Sequence, residues 1–222
     1  MKTKFLNVPI YIWLAFFLSS VYFVLFPHID LYISSLFYKN GTFMAGNTWW
    51  GDFLYHSLKP VVATAAIAPV LIWIYNKVWH KNILNITGKK VAYILLVLAI
   101  GPGLIVNLTF KDHWGRPRPG QIREFGGNEH FQPAFIMSNQ KGASFSCGHN
   151  SGAFFLLALA LLTTKRRRFW LTLVYIYGIL ISFDRIAEGG HFFSDTVVSF
   201  FVVYITAYAL YGYMFSRQSD DS

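Results

Sequence analysis

Six long apolar stretches divide this chain of 222 residues, and they restrict its fold more than any other feature. They occupy residues 8–26, 60–79, 91–110, 147–164, 169–183 and 194–215, of which the fifth is the shortest. A helix needs about 20 mainly apolar residues to cross the hydrocarbon core of a bilayer. The sequence therefore predicts an all-α, polytopic membrane protein built as a bundle of six transmembrane helices.

The composition supports a membrane protein and excludes two other classes. Hydrophobic residues make up 55% of the chain and charged residues only 13%. A soluble domain of this length needs a more polar surface than this composition provides. The net charge of +9 does not indicate nucleic-acid binding, because the basic residues lie between apolar runs and form no single polar face. The first stretch is long for a signal peptide and no small-x-small cleavage site follows it, so we expect a retained span.

The basic residues predict the orientation of the helices. Eleven of the 19 lysines and arginines, from Lys2 to Arg217, fall on the side that carries both termini, and four of them form the KRRR turn at 165–168. The positive-inside rule then places both termini in the cytoplasm. No repeat, low-complexity tract or Gly-Ser linker interrupts the chain, so we predict one domain over residues 1–222, with its motifs at about 90–215.

Two features outside the polar clusters lead to smaller expectations. The loop at 27–59 is rich in aromatic residues, which is typical of a segment lying in the headgroup layer with no chemical role. Within the third stretch, GPG at 101–103 predicts a kink or a close approach by a neighbouring helix.

The first of three polar clusters is KDHWGRPRPG, residues 111–120, at the end of the third stretch. Lys111 and Arg118 are seven residues apart, which is two helical turns, so they share one face of a helix. Arg116 lies between them and is a candidate substrate contact. Taken alone, the cluster fits equally well a basic collar whose side chains reach the lipid phosphates.

The second cluster, SCGHN at residues 146–150, opens the fourth stretch. The first turn of a helix leaves N–H groups unpaired and carries partial positive charge, so it attracts anions. Gly148 lets an anion approach the backbone closely, and His149 can hold or release a proton near neutral pH. A polar N-cap without further function is the alternative interpretation.

The third cluster, DRIAEGGHFFSDT at residues 184–196, joins the last two stretches. Arg185 ends the fifth stretch, while His191 and Asp195 open the sixth and share a face if the helix has begun there. A carboxylate beside an imidazole fixes its tautomer and raises its basicity. A purely structural His–Asp pair is the alternative.

All three clusters fall on the same predicted side of the membrane, at the ends of spans three to six. Ionisable groups at membrane depth are costly and usually functional. Three cations, two histidines and one carboxylate can therefore converge there, which suits a phosphate group with a nucleophile on one side and a proton donor on the other.

The three clusters resemble the type 2 phosphatidic acid phosphatase family of membrane lipid phosphatases. That family's pattern is Lys, six residues, Arg-Pro; then Pro-Ser-Gly-His; then Arg, five residues, His, three residues, Asp. The first and third parts are intact here, at Lys111 with Arg118 and at Arg185, His191 and Asp195. The second part departs twice, because Ser146 stands in place of the proline and Cys147 in place of the serine.

The resemblance implies a role for each matching residue. His191 is the expected nucleophile, Asp195 orients it, and His149 is the general acid and later the general base. The phosphate is expected to contact the following groups: Lys111, Arg118, Arg185, the backbone of Gly148 and the position of Cys147. A thiol donates a weaker hydrogen bond than the family's serine, so we expect the backbone N–H to bind and activity to survive. Cys147 is not a tyrosine-phosphatase nucleophile, because the required arginine six residues on is Ala153.

The expected function is hydrolysis of a lipid phosphate monoester without a metal or other cofactor, at the periplasmic face of a bacterial inner membrane. The words KDHWGRPRP, REFGG, FQPAF and SFSCGHNSGAFF resemble the branch of the family that acts on lipid A. Related branches act on phosphatidylglycerol phosphate or undecaprenyl pyrophosphate, and a lipid phosphotransferase is a further alternative. A transporter that only binds the anion is the alternative outside enzymes, although the paired broken repeats typical of transporters are not apparent.

Overall fold

The fold was examined in a computed structural model that describes residues 3–46 and 48–215. Lys2 and Arg217, which were counted toward the cytoplasmic side, lie outside these residues. The helices are α1 (Ile10–Leu25), α2 (His28–Ser35), α3 (Trp49–Val78), α4 (Gly88–Leu98), α5 (Gly148–Phe155), α6 (Leu157–Leu162), α7 (Arg167–Ala187) and α8 (Phe193–Phe215). Two short antiparallel hairpins pair β1 (Lys4–Phe5) with β2 (Val8–Pro9), and β3 (Tyr38–Lys39) with β4 (Thr42–Phe43). The protein is thus an all-α polytopic membrane protein.

Four helical segments of the described chain are long and apolar enough to cross a membrane: Trp49–Val78, Gly88–Lys111, Arg167–Ala187 and Phe193–Phe215. Helices α1 and α2 would make a fifth span if they are taken together, but they meet at an angle of 86°. The segment Gly148–Leu162 is shorter, at about 22 Å for a rise of 1.5 Å per residue. The count of six spans and the cytoplasmic termini therefore stay predictions.

Two helices extend beyond their predicted boundaries, and a polar cap accounts for the start of one of them, α3. Helix α3 begins at Trp49 and not at residue 60, because Thr48 caps it by accepting a hydrogen bond from the N–H of Gly51. Helix α7, predicted as the shortest span, extends from Arg167 to Ala187. The extension of α3 carries polar residues beyond the apolar stretch and places Tyr55 next to the first turn of α5.

The GPG sequence lies in a π-helical stretch, Ala99–Lys111, that continues α4. Proline provides no N–H for the regular ladder, which favours such a local change of helix type. Gly101 is buried and faces Thr206 and Val203 of α8, and a Cβ added there would lie 3.6 Å from both side chains, which is ordinary van der Waals contact. The GPG sequence thus lies where this segment packs on α8, and the change of helix type is its visible effect.

Helix α5 lies at the centre of the bundle, between α7, α8 and the π-helical stretch. All its residues from Asn150 to Phe155 are buried. Phe154 packs against α7 at Gly178, where an added Cβ would overlap the phenyl ring. Because α5 is held on all sides, its first turn is fixed among the ends of the neighbouring helices, and this is where the polar clusters meet.

Candidate active site

The first turn of α5 lies beside the end of the π-helical stretch. A Cβ added to Gly148 would lie 3.9 Å from Nζ of Lys111 and 3.1 Å from Oδ1 of Asn107. Asn107 is itself held by donating from Nδ2 to the carbonyl oxygen of Pro102, at 2.7 Å. The absence of a side chain at Gly148 therefore leaves space next to the Lys111 ammonium, as the predicted anion site requires.

His149 lies at the centre of the positive charges. Lys111, Arg118, Arg185 and His191 are all close enough to act on its ring electrostatically. Its imidazole stacks on Tyr55 of α3, with ring centroids 4.6 Å apart and an interplanar angle of 29°. The structure thus brings residues of all three sequence clusters around one histidine.

Arg185 ends α7 and is almost fully buried. Its Nη1 pairs with the carboxylate of Glu188, and its guanidinium carbon lies 5.0 Å from the centroid of the Tyr55 ring. Its Nε is buried and has no hydrogen-bond partner within the described residues. Because an unsatisfied buried donor is costly, this N–H is available for an anionic ligand.

His191 is held by the backbone of the preceding loop. Its Nδ1 lies 2.7 Å from the carbonyl oxygen of Ser144, which can only accept, so Nδ1 carries a proton and, in the neutral ring, Nε2 holds the lone pair. Oδ2 of Asp195 is 3.7 Å from Nδ1, too far for a hydrogen bond. The tautomer is therefore fixed by Ser144, and Asp195 acts on the ring through its charge.

The charges near His191 favour its protonated form. Burial alone would lower the pKa of His191, but the neighbouring Cys147 and Asp195 outweigh burial and raise the pKa above its ordinary value of 6.5. The imidazolium of this residue is thus stabilised before a substrate arrives.

Asp195 is completely buried and fully bonded. Oδ2 accepts from the hydroxyl of Ser144 and from the N–H of Phe192 at 2.9 Å, and Oδ1 accepts from Arg116. The carboxylate therefore holds both chain segments that flank His191.

Arg116 has no exposed surface. It lies between two carboxylates, with Nη1 bonded to Asp195 and Nη2 2.8 Å from Oδ2 of Asp30. Its Nε donates to the carbonyl oxygen of Gln132 at 2.8 Å. We therefore replace the predicted substrate contact of Arg116 by a supporting role, because every face of the guanidinium is covered by protein.

Asp30 completes this buried network from the loop at 27–59. Besides Arg116, it accepts from the N–H of Ser194 at 2.9 Å and from the Ser194 hydroxyl. The loop was expected to lie in the headgroup layer with no chemical role, and Asp30 shows that one of its residues supports the buried arginine of the site. One signal was present in the sequence: a lone carboxylate within an aromatic, apolar segment needs a buried cationic partner.

Cys147 is fully buried at the N-cap of α5. Its Sγ lies 3.4 Å from the N–H of Asn150, and the side chain also interacts with His191. Its own N–H donates to the carbonyl oxygen of Asp195 at 3.4 Å. The thiol is thus placed beside the histidine ring and caps the helix, whereas the backbone of Gly148 is the part nearer to Lys111.

Metal-ligating side chains do not cluster in the part of the chain that the structure describes. Over residues 3–46 and 48–215, no three His, Cys, Asp or Glu side chains are grouped so that they could hold a metal ion. The charges that face His149 come from lysine and arginine.

Sequence comparisons assign the chain to a known superfamily. Residues 90–219 match the PAP2 superfamily, so the chain belongs to this superfamily. It is 33% identical to the lipid A 4'-phosphatase of Francisella tularensis subsp. novicida (strain U112), over 91% of this chain and 93% of that protein. It is 30% identical to the lipid A 4'-phosphatase of Rhizobium leguminosarum, over 93% of this chain and 95% of that protein. A third relative, the lipid A 4'-phosphatase of Rhizobium etli, is 32% identical over 98% and 91%. No solved structure matches the chain.

Proposed function

We propose that this chain is a membrane phosphatase that hydrolyses the 4'-phosphate monoester of lipid A at the periplasmic face of a bacterial inner membrane. One observation carries the phosphatase assignment: His149, His191, Lys111, Arg118 and Arg185, which come from three separate parts of the sequence, meet around the first turn of α5. Lipid A and the 4' position are supported by three relatives with this printed activity, each aligned over more than nine tenths of its length.

In the first chemical step, Nε2 of His191 attacks phosphorus and the bond to the sugar oxygen breaks. The proton on Nδ1 stays on the ring and is held by the Ser144 carbonyl, so the phosphohistidine forms with a positive ring that Asp195 stabilises. His149 donates a proton to the leaving oxygen, which departs as the 4'-hydroxyl of the dephosphorylated lipid.

In the second step, water attacks the phosphorus and the N–P bond breaks. His149, now neutral, takes a proton from this water and returns to its acid form. Inorganic phosphate leaves, and His191 recovers its free lone pair at Nε2. Each residue ends the cycle in the protonation state in which it began.

The phosphoryl oxygens are bound by Lys111, Arg118 and Arg185 and by the N–H of Gly148. The transferring phosphoryl group keeps its negative charge through a loose transition state, so fixed cations supply most of the stabilisation. Arg185 suits this task because a planar guanidinium can donate to two oxygens at once, and its buried Nε has no protein partner among the described residues. We propose that these cations take the place of a metal ion.

The proposal is tested with purified protein, by measuring inorganic phosphate released from lipid A. Phosphatidic acid, phosphatidylglycerol phosphate and undecaprenyl pyrophosphate serve as competing substrates. We expect release from lipid A, from the 4' position, and equal rates with and without EDTA. His191→Ala should abolish release and leave binding of the lipid largely intact. Release that continues in His191→Ala would contradict the nucleophile, and turnover that EDTA stops would contradict the metal-free mechanism.

The same assay separates the alternatives. A transporter would bind the lipid and release no phosphate. A phosphotransferase would need a second lipid as acceptor and would release little free phosphate from lipid A alone. Faster turnover of one of the other three substrates would move the assignment to the corresponding branch of the family.

A further inference from the structure

Tyr55 lies outside the three sequence motifs and outside residues 90–219, yet its ring contacts two groups of the candidate site. The imidazole of His149 stacks on it, with centroids 4.6 Å apart. The guanidinium of Arg185 lies 5.0 Å from the centroid of the same ring. One aromatic side chain of α3 therefore links a residue of α5 to a residue at the end of α7.

The two histidines of the site are held in different ways. His191 is fixed by a hydrogen bond from Nδ1 to the Ser144 carbonyl. No hydrogen bond holds the His149 ring within residues 3–46 and 48–215, so its stack on Tyr55 is the specific contact that sets the plane of the ring. An imidazole that must deliver a proton needs a fixed orientation, because proton transfer requires hydrogen-bond reach to the leaving atom.

The same ring also suits the cationic partner. Guanidinium groups are attracted to the faces of aromatic rings, and the attraction strengthens when the groups are desolvated. Arg185 is almost fully buried, so Tyr55 restricts its position from one side while Glu188 pairs with Nη1 from another. Tyr55 therefore contacts both the proposed general acid, His149, and a proposed phosphate ligand, Arg185.

We propose that Tyr55 is a positioning residue that orients His149 for protonation of the leaving oxygen and holds Arg185 against the phosphate. This inference rests on the proposed phosphatase function. The function of Tyr55 lies in its ring and not in its hydroxyl, because both contacts are made by the ring. Tyr55→Phe should therefore preserve activity, whereas an aliphatic side chain should not.

The proposed role predicts a dependence on the leaving group. The sugar oxygen of lipid A leaves as a strongly basic alkoxide unless it is protonated, whereas p-nitrophenolate leaves without help. A misplaced His149 should therefore slow lipid A hydrolysis more than hydrolysis of p-nitrophenyl phosphate. A misplaced Arg185 should raise KM for both substrates, since both carry the same phosphoryl group.

The test compares wild type with Tyr55→Phe, Tyr55→Leu and the control Phe53→Leu on both substrates. Phe53 lies on the same helix, and its side chain is exposed. We expect Tyr55→Leu to lower kcat/KM for lipid A by roughly tenfold or more, given that general acid catalysis contributes about 10²–10⁴-fold. The ratio kcat/KM is compared because it covers departure of the leaving group and not the later hydrolysis of the phosphohistidine, which both substrates share. The loss in kcat/KM for p-nitrophenyl phosphate should be smaller, and Tyr55→Phe and Phe53→Leu should stay near wild type.

Several outcomes would overturn the inference. Tyr55→Leu that behaves like Phe53→Leu would remove any role for the ring, and an equal loss of kcat/KM on both substrates would exclude an effect on proton donation by His149. Tyr55→Met provides the same comparison if Tyr55→Leu does not fold. Wild-type protein that releases phosphate from neither substrate would contradict the phosphatase assignment itself, which is a separate result.

Discussion

The described residues before 90 and those after it contribute to the site in different ways. Every proposed reacting or phosphate-binding group lies between Lys111 and Asp195, within the part that matches the PAP2 superfamily. The earlier part carries none of the motifs, but it places Asp30 against Arg116 and Tyr55 against His149. The motifs thus contain the groups that we propose to react, while part of their immediate environment comes from a region without recognisable motifs.

This difference follows from the cost of burying charge. Asp195 and Arg116 have no exposed surface, and a buried ion is tolerated only when its hydrogen-bonding capacity is filled. The motif region does not fill it alone, because Nη2 of Arg116 bonds to Asp30 of α2. The motif-free region is therefore expected to affect stability and positioning, and the motif region to affect chemistry.

The largest expected effect is the loss of stability on Asp30→Ala. This change would leave Nη2 of Arg116 and the N–H of Ser194 buried without acceptors. Breaking a buried ion pair costs about 3–5 kcal/mol, which corresponds to a melting midpoint lower by roughly 6–20 °C for a chain of this size. Thermal unfolding in detergent measures the midpoint.

Asp52→Ala is the matched control for Asp30→Ala. Asp52 is also an acidic residue of the motif-free region, but it is exposed in the first turn of α3. Its removal should cost only tenths of a kcal/mol, as is typical for a charge at a helix terminus. Equal melting midpoints for the two variants would show that Asp30 does not support Arg116, and the comparison between the regions would fail.

Apolar stretches predicted the fold class correctly, and motif spacing led to the residues that we propose to react, because both are local properties of the chain. The Asp30–Arg116 pair joins residues 86 positions apart, and nothing in either neighbourhood specifies the partner. The Ser144 carbonyl is a further example: any residue provides a backbone oxygen, so the choice of acceptor for His191 depends on the path of the loop.

Tyr55 shows a second limit of the sequence. The apolar pattern placed the start of the helix at residue 60, because residues 49–59 include charged and polar side chains. The cap at Thr48 nevertheless begins α3 there, and Tyr55 becomes part of a helix that passes the site. A capping threonine was visible in the sequence, but the ring's contacts with α5 and α7 depend on tertiary packing.

Gly190→Ala should have the next largest effect, and it acts within the motif region. A Cβ at this position would overlap Nη2 of Arg185 and lie 2.8 Å from its Cζ. The guanidinium would have to leave its place between Tyr55 and Glu188. Loss of one charge-assisted hydrogen bond to phosphate costs about 1.5–3 kcal/mol, so KM for lipid A should rise roughly 10–100-fold.

Gly120→Ala is the control for this substitution, because its added Cβ would make only ordinary contacts, at 3.5 Å from the carbonyl oxygen of Gly189 and 4.0 Å from the Phe43 ring. Its kinetics should resemble wild type. The opposite outcome is a Gly190→Ala variant that lowers the melting midpoint as much as Asp30→Ala and leaves KM unchanged. A residue of the motif region would then affect stability and not substrate binding, which would contradict the difference between the two regions.

The smallest expected change is that of Cys147→Ser, which sharpens the comparison inside the motif region. His191 must be neutral to attack phosphorus, so kcat/KM should fall as the pH drops through the pKa of His191. That pKa lies above 6.5, partly because of Cys147. A serine hydroxyl does not ionise as a thiol does, so it stabilises the imidazolium of His191 less and lowers the pKa of His191. The acid limb of the profile should therefore move to lower pH. More of His191 is then neutral at pH 7, and the rate should be maintained or raised.

A pH–rate series for wild type and Cys147→Ser measures both effects. A large loss of activity, or an acid limb that moves to higher pH, would show that the thiol takes a direct part in the reaction. Phosphate binding at this turn could then not be assigned to the backbone of Gly148 alone.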